Sequence, residues 1–180
     1  MKQQKGMTLI ELMISVSIVA IILAFVTPSA ESILIKNRMV AEINETSSMI
    51  QYARHYAIDE QAQVIVCPST DHSACSTNWN APKIVFIDDD NNGSRGNDEP
   101  LLVTIAATSD TSLMTNTSDI IIFSETGEAN LATELLLCHK DGAAKYARSL
   151  SVTLQGRVKM SRDSDKNGVN ENAAGTELSC

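Results

Sequence analysis

One uninterrupted apolar stretch near the N-terminus constrains this chain more than any other feature of its sequence. The stretch spans residues 7–27 and contains a single charged residue, Glu11. As a helix it would be roughly 31 Å long, about the thickness of a bilayer's hydrocarbon core. Lys2 and Lys5 precede it, as expected for the cytoplasmic end of a membrane helix. The pattern therefore predicts a membrane-spanning helix over residues 7–28.

A cleaved secretory signal peptide fits this stretch poorly. Such a signal requires a small-residue cleavage site after its apolar core, and Ser29-Ala30 is only a weak candidate. Glu11 also lies inside the core, where a carboxylate is costly unless another group pairs with it. Two interpretations of Glu11 stay open on this basis: a functional carboxylate with a partner, or a residue placed at the membrane interface.

Residues 5–12 read KGMTLIEL, which resembles the processing site of type IV pilins and type II secretion pseudopilins. The resemblance implies that residues 1–6 are a leader, that a prepilin peptidase cleaves after Gly6, and that Met7 is then N-methylated. Most family members have Phe where this chain has Met7. The resemblance also implies that Glu11 pairs with the N-terminal amine of a neighbouring subunit, which would make a buried carboxylate tolerable.

The apolar pattern becomes amphipathic after Pro28, a residue that kinks a helix or begins a new one. Apolar residues then recur at helical spacing, at Ile35, Met39, Ile43, Ile50, Ala53 and Ala57. We predict one long helix from about Thr8 to about Ile58. Its second part, residues 29–60, is expected to pack its apolar stripe on a sheet.

Short β-branched and apolar runs follow from residue 61, separated by turn-forming residues. We predict strands at residues 64–67, 83–87, 101–105, 120–123, 134–137, 149–154 and 157–160, with a tight turn at Gln155-Gly156. Thr108 to Ser118 and the tail from Asp163 are predicted to be loops. Residues 61–180 are therefore expected to form an antiparallel sheet or two small sheets, and the fold class is α+β.

The order of several short motifs in this region resembles the GspH/FimT branch of that family. The motifs are Cys67-Pro68-Ser69, Asn78-Trp79, Val85-Phe86-Ile87-Asp88, Glu99-Pro100-Leu101-Leu102, Leu137-Cys138 and Gly156-Arg157-Val158. The resemblance implies a long N-terminal helix packed on a β-sandwich-like domain.

It also implies a minor pilin or pseudopilin that helps initiate or cap a type IV pilus or a type II secretion pseudopilus. The implied location is the inner membrane, with a single pass and a periplasmic globular domain, and later the filament. The implied partners are other pilins or pseudopilins and the prepilin peptidase.

All four cysteines, Cys67, Cys75, Cys138 and Cys180, follow the apolar stretch. An even number outside the cytoplasm indicates disulfides, for which three connectivities exist. Pairing Cys67 with Cys75 closes a small loop, and pairing Cys138 with Cys180 closes a long loop that restrains the polar tail. A zinc site is the alternative, but the sequence contains no Cys-x-x-Cys pair.

An acidic stretch after the second predicted strand matches the pattern of a calcium-binding loop. Asp88, Asp90, Asn92 and Glu99 occupy the ligand positions, and Gly93 occupies the turn position. Predicted strands flank this loop, whereas an EF-hand has helices, so a hairpin loop of turn-forming residues is the alternative. A similar pattern begins at Asp163 but has Ala174 at position twelve. No other cofactor is expected.

A second function, DNA capture, follows from the resemblance to FimT-like minor pilins with a basic Gly-Arg-x-Arg motif. The matching residues are Gly156, Arg157 and Lys159, and Lys159 lacks the bidentate geometry of an arginine. Arg157 and Lys159 would share one face of a strand, and Lys145 and Arg148 would extend the patch. Opposing this, the formal charge is −8, or −10 once Lys2 and Lys5 are removed.

Catalytic motifs are absent from the sequence. His55, His72 and His139 occur in unrelated contexts, and no nucleophile elbow, phosphate loop or His-Glu-x-x-His motif is present. We therefore expect an assembly subunit and not an enzyme.

Overall fold

The computed structural model describes residues 6–180, apart from the side chains of residues 25–29. Lys2 and Lys5 of the predicted leader lie outside these residues. The described elements, in chain order, are α1 (Leu9–Glu60), β1 (Val64–Pro68), β2 (Lys83–Ile87), β3 (Leu101–Ile105), β4 (Ser112–Asn116), β5 (Ile121–Phe123), β6 (Thr133–His139), β7 (Arg148–Val152) and β8 (Val158–Met160), with a 3-10 turn at Ala144–Tyr146.

The long helix α1 starts at a side-chain cap. The Glu11 N–H donates to Thr8 Oγ1 at 3.3 Å, which satisfies one of the amides that a helix N-terminus leaves unpaired. Thr8 and Glu11 have the Thr-x-x-Glu spacing typical of a helix start. The predicted helix is confirmed to within two residues at its C-terminus. It is one element through Pro28, without the new helix start that a proline often marks.

The chain divides into two compact units, one up to Asn37 and the other Arg38–Cys180, and α1 contributes to both. Among the residues whose side chains are described, no helix is both long enough and apolar enough to cross a membrane. The predicted membrane span over residues 7–28 is therefore not confirmed. Part of it, residues 25–28, lies outside the described side chains.

Within the second unit, the predicted apolar stripe of α1 is buried. Met39, Ile43, Ile50, Ala53 and Ala57 are each fully inaccessible to solvent. The stripe contacts β4, where the Ser112 hydroxyl lies 3.5 Å from Met39 Sδ. This part of α1 is part of the core of the β-rich unit, as the helical spacing predicted.

Two four-stranded antiparallel sheets form the rest of that unit. Their strand orders are β3-β2-β1-β5 and β4-β6-β7-β8. All residues of β1 and β2 are buried, since both faces of these strands are covered. On one face, Ile65, Ile84 and Phe86 form a cluster with the Cys67–Cys75 disulfide. The α+β class is confirmed, and of the two predicted alternatives, one antiparallel sheet or two small sheets, the structure has two sheets.

The prediction of a loop from Thr108 to Ser118 was wrong, because this segment contains β4. Its Ser, Asn and Asp residues favour turns over strands, but β4 pairs with β6 in an unbroken register from Ser112–His139 to Asn116–Leu135. Met114 is buried on its inner face. On its outer edge, the Asn80 side chain accepts from the Met114 N–H at 2.7 Å and donates to the Met114 carbonyl at 3.1 Å. Tertiary pairing therefore overrides local propensity.

Two disulfides are present, Cys67–Cys75 and Cys138–Cys180, with sequence separations of 8 and 42 residues. These are the small-loop and long-loop pairs named above. The second joins the end of β6 to the last residue of the chain. The tail also forms isolated bridges at Arg162–Glu171 and Glu171–Glu177, so it is ordered without a strand of its own.

Candidate functional site

The predicted processing and assembly residues lie at the start of α1. Gly6 and Met7 precede the helix and are exposed, and Glu11 is exposed on its first turn. A carboxylate at this position interacts favourably with the positive end of the helix dipole. The structure thus places Glu11 where its carboxylate is accessible to another molecule. Cleavage at Gly6, methylation of Met7 and pairing of Glu11 stay predictions.

The first part of α1 exposes apolar side chains in every direction around the helix. From Leu9 to Leu23 each large apolar side chain is 53% to 79% exposed. Ser15 and Ser17 donate their hydroxyls to the Glu11 and Met13 carbonyls at 2.8 Å, which leaves few polar groups on this surface. A helix that is apolar all round requires an apolar environment. This segment therefore exposes a continuous apolar surface from Leu9 to Leu23.

Arg54, which the sequence analysis did not single out, ties α1 to two turns of the β-rich unit. Its Nε donates to the Gly127 carbonyl at 2.9 Å, and its Nη2 donates to the Gln155 carbonyl at 3.2 Å. Gly156 follows, with φ +70°, and a Cβ there would overlap the Gly127 carbonyl oxygen. The sequence signal for this role of Arg54 was its position next to Ala53 of the buried apolar stripe.

The two predicted DNA-binding cations, Arg157 and Lys159, line one open cleft of about 200 Å³ together with Arg54 and His55. The prediction that both lie in a strand was wrong, because β8 begins at Val158. Arg157 instead belongs to the preceding turn, where its N–H donates to Thr153 Oγ1 at 3.2 Å. Two adjacent cations in a cleft suit a single phosphate or carboxylate group.

The predicted extension of that patch is not present. Lys145 stacks on the Tyr146 ring, with its Nζ 4.7 Å from the ring centroid. Arg148 is half-buried and donates to the Ala147 carbonyl at 2.7 Å, and burial lowers the pKa of its guanidinium. Neither residue lines the cleft of Arg157 and Lys159.

The acidic loop after β2 brings three of its predicted ligands together. One carboxylate oxygen from each of Asp88, Asp90 and Glu99 lies within 4.8 Å of the others. Asp88 is 1% exposed and Glu99 is 7% exposed. The Asn92 side-chain oxygen, the atom that would bind calcium, accepts from the Ser94 N–H at 2.7 Å, and its amide nitrogen donates to Asp90 at 2.7 Å, so Asn92 stabilises the turn.

The two buried carboxylates of this loop, Asp88 and Glu99, accept hydrogen bonds from backbone N–H groups. Asp88 accepts from the Asn92 and Gly93 backbone N–H groups, each at 3.1 Å, and from the Gln63 side-chain amide at 2.9 Å. Glu99 accepts from the Asp89 and Gly96 N–H groups at 2.9 and 2.6 Å. This bonding suits the hairpin-loop alternative, and calcium binding stays a prediction that calorimetric titration with calcium would check.

A second acidic cluster, which the sequence analysis set aside, lies in the tail. Asp163 and Asp165 are joined by Glu171, and one carboxylate oxygen from each lies within 4.8 Å of the others. Glu171 accepts from the Ser164 N–H at 2.8 Å, and this bond lowers the pKa of its carboxyl. In the calcium-loop pattern counted from Asp163, position twelve, where glutamate is expected, is Ala174. Glu171 is at position nine, and that acidic residue was the sequence signal for its place in the cluster.

The remaining candidate residues have structural environments. Trp79 is 2% exposed and donates its indole N–H to the Ser118 carbonyl at 3.0 Å, so it is a core residue. His55 is exposed on α1. His139 ends β6, lies 3.0 Å from the Asp141 carboxylate and contacts the Tyr146 ring edge-on.

Comparison with solved structures identifies the fold. The type IV minor pilin FimU of Pseudomonas aeruginosa matches with a TM-score of 0.58 and 18% identity, over 72% of this chain and 92% of that chain. The minor pseudopilin EpsH from the Type 2 Secretion System of Vibrio cholerae matches with a TM-score of 0.51 and 8% identity, over 68% of this chain and 95% of that chain. At these identities the likeness shows a shared fold.

Two protein-family models match the sequence itself. The prokaryotic N-terminal methylation motif matches residues 1–27, which include the leader, the predicted cleavage site and Glu11. The model described as Type II transport protein GspH matches residues 42–156, from the buried half of α1 to the turn before β8. No curated protein sequence matches. Since the second model covers more than half of the chain and agrees with the fold, this protein belongs to the GspH family of type II transport proteins.

Proposed function

We propose that this chain is a minor subunit that helps to initiate or cap a type IV pilus or a type II secretion pseudopilus. The observation that carries the proposal is the apolar surface of α1 between Leu9 and Leu23, exposed on all sides of the helix. A methylation motif covers the same segment. Such a helix needs an apolar environment, and both a bilayer and a filament core of apolar helices provide one.

The proposed sequence of events begins at the membrane. The prepilin peptidase removes residues 1–6, and Met7 becomes the N-methylated terminus. The apolar segment holds the unassembled subunit in the inner membrane, with the β-rich unit on the periplasmic side. Both disulfides lie in that unit, which suits an oxidising compartment. On assembly, the same segment leaves the lipid for the filament core without exposing its apolar surface to water.

Glu11 has a specific role in this proposal. It is the only acidic residue of the first helical turn and is exposed. Its carboxylate would pair with the methylated amine of a neighbouring subunit once both are removed from water. Breaking such a pair by removing one partner leaves an uncompensated buried charge, at a cost of about 3–5 kcal/mol.

The test is the Glu11→Ala variant, with Glu31→Ala as its matched control, since Glu31 is also exposed on α1. Glu11→Ala should fractionate with the membrane as the parent does but be lost from sheared filaments or pseudopili. Glu31→Ala should incorporate normally. Equal incorporation of both variants would remove Glu11 from the assembly mechanism, and a soluble parent protein would remove the membrane step.

DNA capture is the less favoured candidate. The cleft that holds Arg157 and Lys159 supports it, but the patch contains few cations and the chain is acidic. Binding of this kind would be independent of sequence and would weaken steeply with salt. A mobility shift of duplex DNA that Arg157→Ala abolishes would support DNA capture, and no shift at low salt would exclude it for this subunit alone.

A further inference from the structure

The free edge of the second sheet is the outer side of β8. This strand ends the order β4-β6-β7-β8 and pairs only with β7. Two hydrogen bonds show which residues of this strand face β7: the Thr153 N–H donates to the Arg157 carbonyl at 3.0 Å, and the Ser161 N–H donates to the Ser149 carbonyl at 2.8 Å. Every second residue from Arg157 to Ser161 is therefore hydrogen-bonded to β7. In an antiparallel ladder the residues between these positions direct their backbone groups outward.

Val158 and Met160 are the residues with outward backbone groups. In the ladder with β7 they belong to the non-hydrogen-bonded pairs Val152–Val158 and Leu150–Met160. Within the described residues, no other segment forms a hydrogen bond to their N–H or C=O groups. The edge therefore offers two donors and two acceptors in the spacing that another strand requires.

The C-terminal tail begins to cover this edge and then turns away. Arg162 and Glu171 exchange both backbone hydrogen bonds, at 3.2 and 3.1 Å, on the outer side of the same edge. Continued pairing would place residue 173 opposite Met160. A tight turn prevents this, since the Gly175 N–H donates to the Asn172 carbonyl at 3.0 Å.

An open groove of about 600 Å³ remains beside β8 where the tail departs. Lys159, Met160 and Arg162 line one side, and Ala173 and Gly175 line the other. Met160 is 41% exposed, so the wall of the groove includes an apolar side chain. A segment in extended conformation would continue the pairing that the Arg162–Glu171 bridge starts.

Three exposed cations lie along this edge, and Glu171 of the acidic cluster with Asp163 and Asp165 also lines the groove. Arg157, Lys159 and Arg162 are exposed, and none forms an ion pair with a carboxylate of the described residues. Glu171, at the end of the groove, directs one carboxylate oxygen to the Ser164 N–H. The three cations therefore remain available to an acidic partner.

We infer that this groove binds an extended acidic peptide segment of another protein chain, which adds as a strand to the outer edge of β8. A peptide backbone supplies both donors and acceptors, whereas a nucleic-acid phosphate supplies acceptors only and leaves the Val158 and Met160 carbonyls unpaired. Acidic side chains on one face of that segment would meet Lys159, and acidic side chains on its other face would meet Arg162. The inference does not depend on filament assembly.

The probe is a short fluorescent peptide of alternating valine and glutamate, added to the full-length protein in detergent. Its anisotropy should rise on binding, and the Val158 and Met160 amides should become protected from hydrogen exchange. An alternating valine–lysine peptide should not bind. No anisotropy change with the acidic peptide, or equal binding of both peptides, would overturn the inference.

Two variants separate strand addition from charge attraction alone. Met160→Pro removes an outward N–H that β7 does not use, and it should abolish binding. Lys159→Glu should weaken binding about tenfold by like-charge repulsion, and Lys140→Glu, an equal charge change at an exposed residue after β6, should not. If duplex DNA displaces the peptide and binds Met160→Pro as well as the parent, the edge is a phosphate site and the inference is wrong.

Discussion

Gly156 is the residue where backbone conformation and close packing coincide. Its φ of +70° lies in the left-handed region, and a Cβ would overlap the Gly127 carbonyl oxygen beside Arg54. The glycine of the basic motif therefore has a packing role of its own, independent of any ligand. It lets the turn before β8 approach the turn at Gly127, and Arg54 binds both.

We expect Gly156→Ala to lower the free energy of unfolding by about 1–3 kcal/mol from backbone strain, with a further loss from the overlap. Gly142→Ala is the matched control, because Gly142 has φ +72° but no atom within 4 Å of a built Cβ. Urea denaturation of both variants measures the difference. Equal losses would show that close approach at Gly156 contributes nothing.

Lys83 is a buried cation whose protonation affects stability. It is 2% exposed and donates to Thr108 Oγ1 at 2.8 Å. Burial lowers the pKa of its ammonium group to about 8, although Glu42 and Glu45 act in the opposite direction. In the unfolded chain the pKa of a lysine is about 10.4.

Between pH about 8 and about 10.4 the unfolded chain therefore binds a proton that the folded chain does not, so the contribution of Lys83 to stability rises with pH. Lys83→Met removes this dependence. Its stability relative to the parent should be highest near neutral pH and should fall toward pH about 10. Denaturation across this range measures it, and Lys140→Met, at an exposed residue, should show a constant difference.

At the scale of elements, β6 organises the second sheet and the tail. It pairs with β4 on one side and β7 on the other, and its Cys138 holds the last residue of the chain. The tail itself contributes only isolated bridges. Its order therefore depends on the disulfide and on the Arg162–Glu171 bridge beside β8.

We expect the double replacement of Cys138 and Cys180 by Ala to cost about 4 kcal/mol in unfolding free energy, from the closure entropy of a long loop. The same replacement of Cys67 and Cys75 should cost less, about 2–3 kcal/mol, since its loop is short. Calorimetry measures both. Non-reducing peptide mapping should recover both pairs, and crossed pairs or free thiols in periplasmic protein would contradict this assignment.

At the scale of the whole molecule, the proposed function first requires maturation, that is, removal of residues 1–6 and methylation of Met7. The mature chain should begin at Met7 with an added methyl group, because the methylation motif covers residues 1–27 and Gly6 precedes the helix. N-terminal mass spectrometry of the membrane fraction measures this. A chain that begins at Met1, or near Glu31, would contradict the proposed processing.

Much of the architecture was readable from local patterns. Helical spacing from Met39 to Ala57 predicted which face of α1 is buried, and β-branched runs predicted β1, β2 and β3. These predictions succeed because burial of apolar side chains is the dominant favourable term in folding. The spacing of apolar residues along the sequence shows which face of a helix or strand is buried.

Contacts between distant segments were decided only by the tertiary structure. The strand β4 exists because β6 pairs with it, Arg54 matters because two remote turns meet it, and Glu171 joins Asp163 because the tail folds back. The free edge of β8 likewise depends on where the tail turns. Such features depend on which segments meet across the fold, and a local window of sequence holds no information about its distant neighbours.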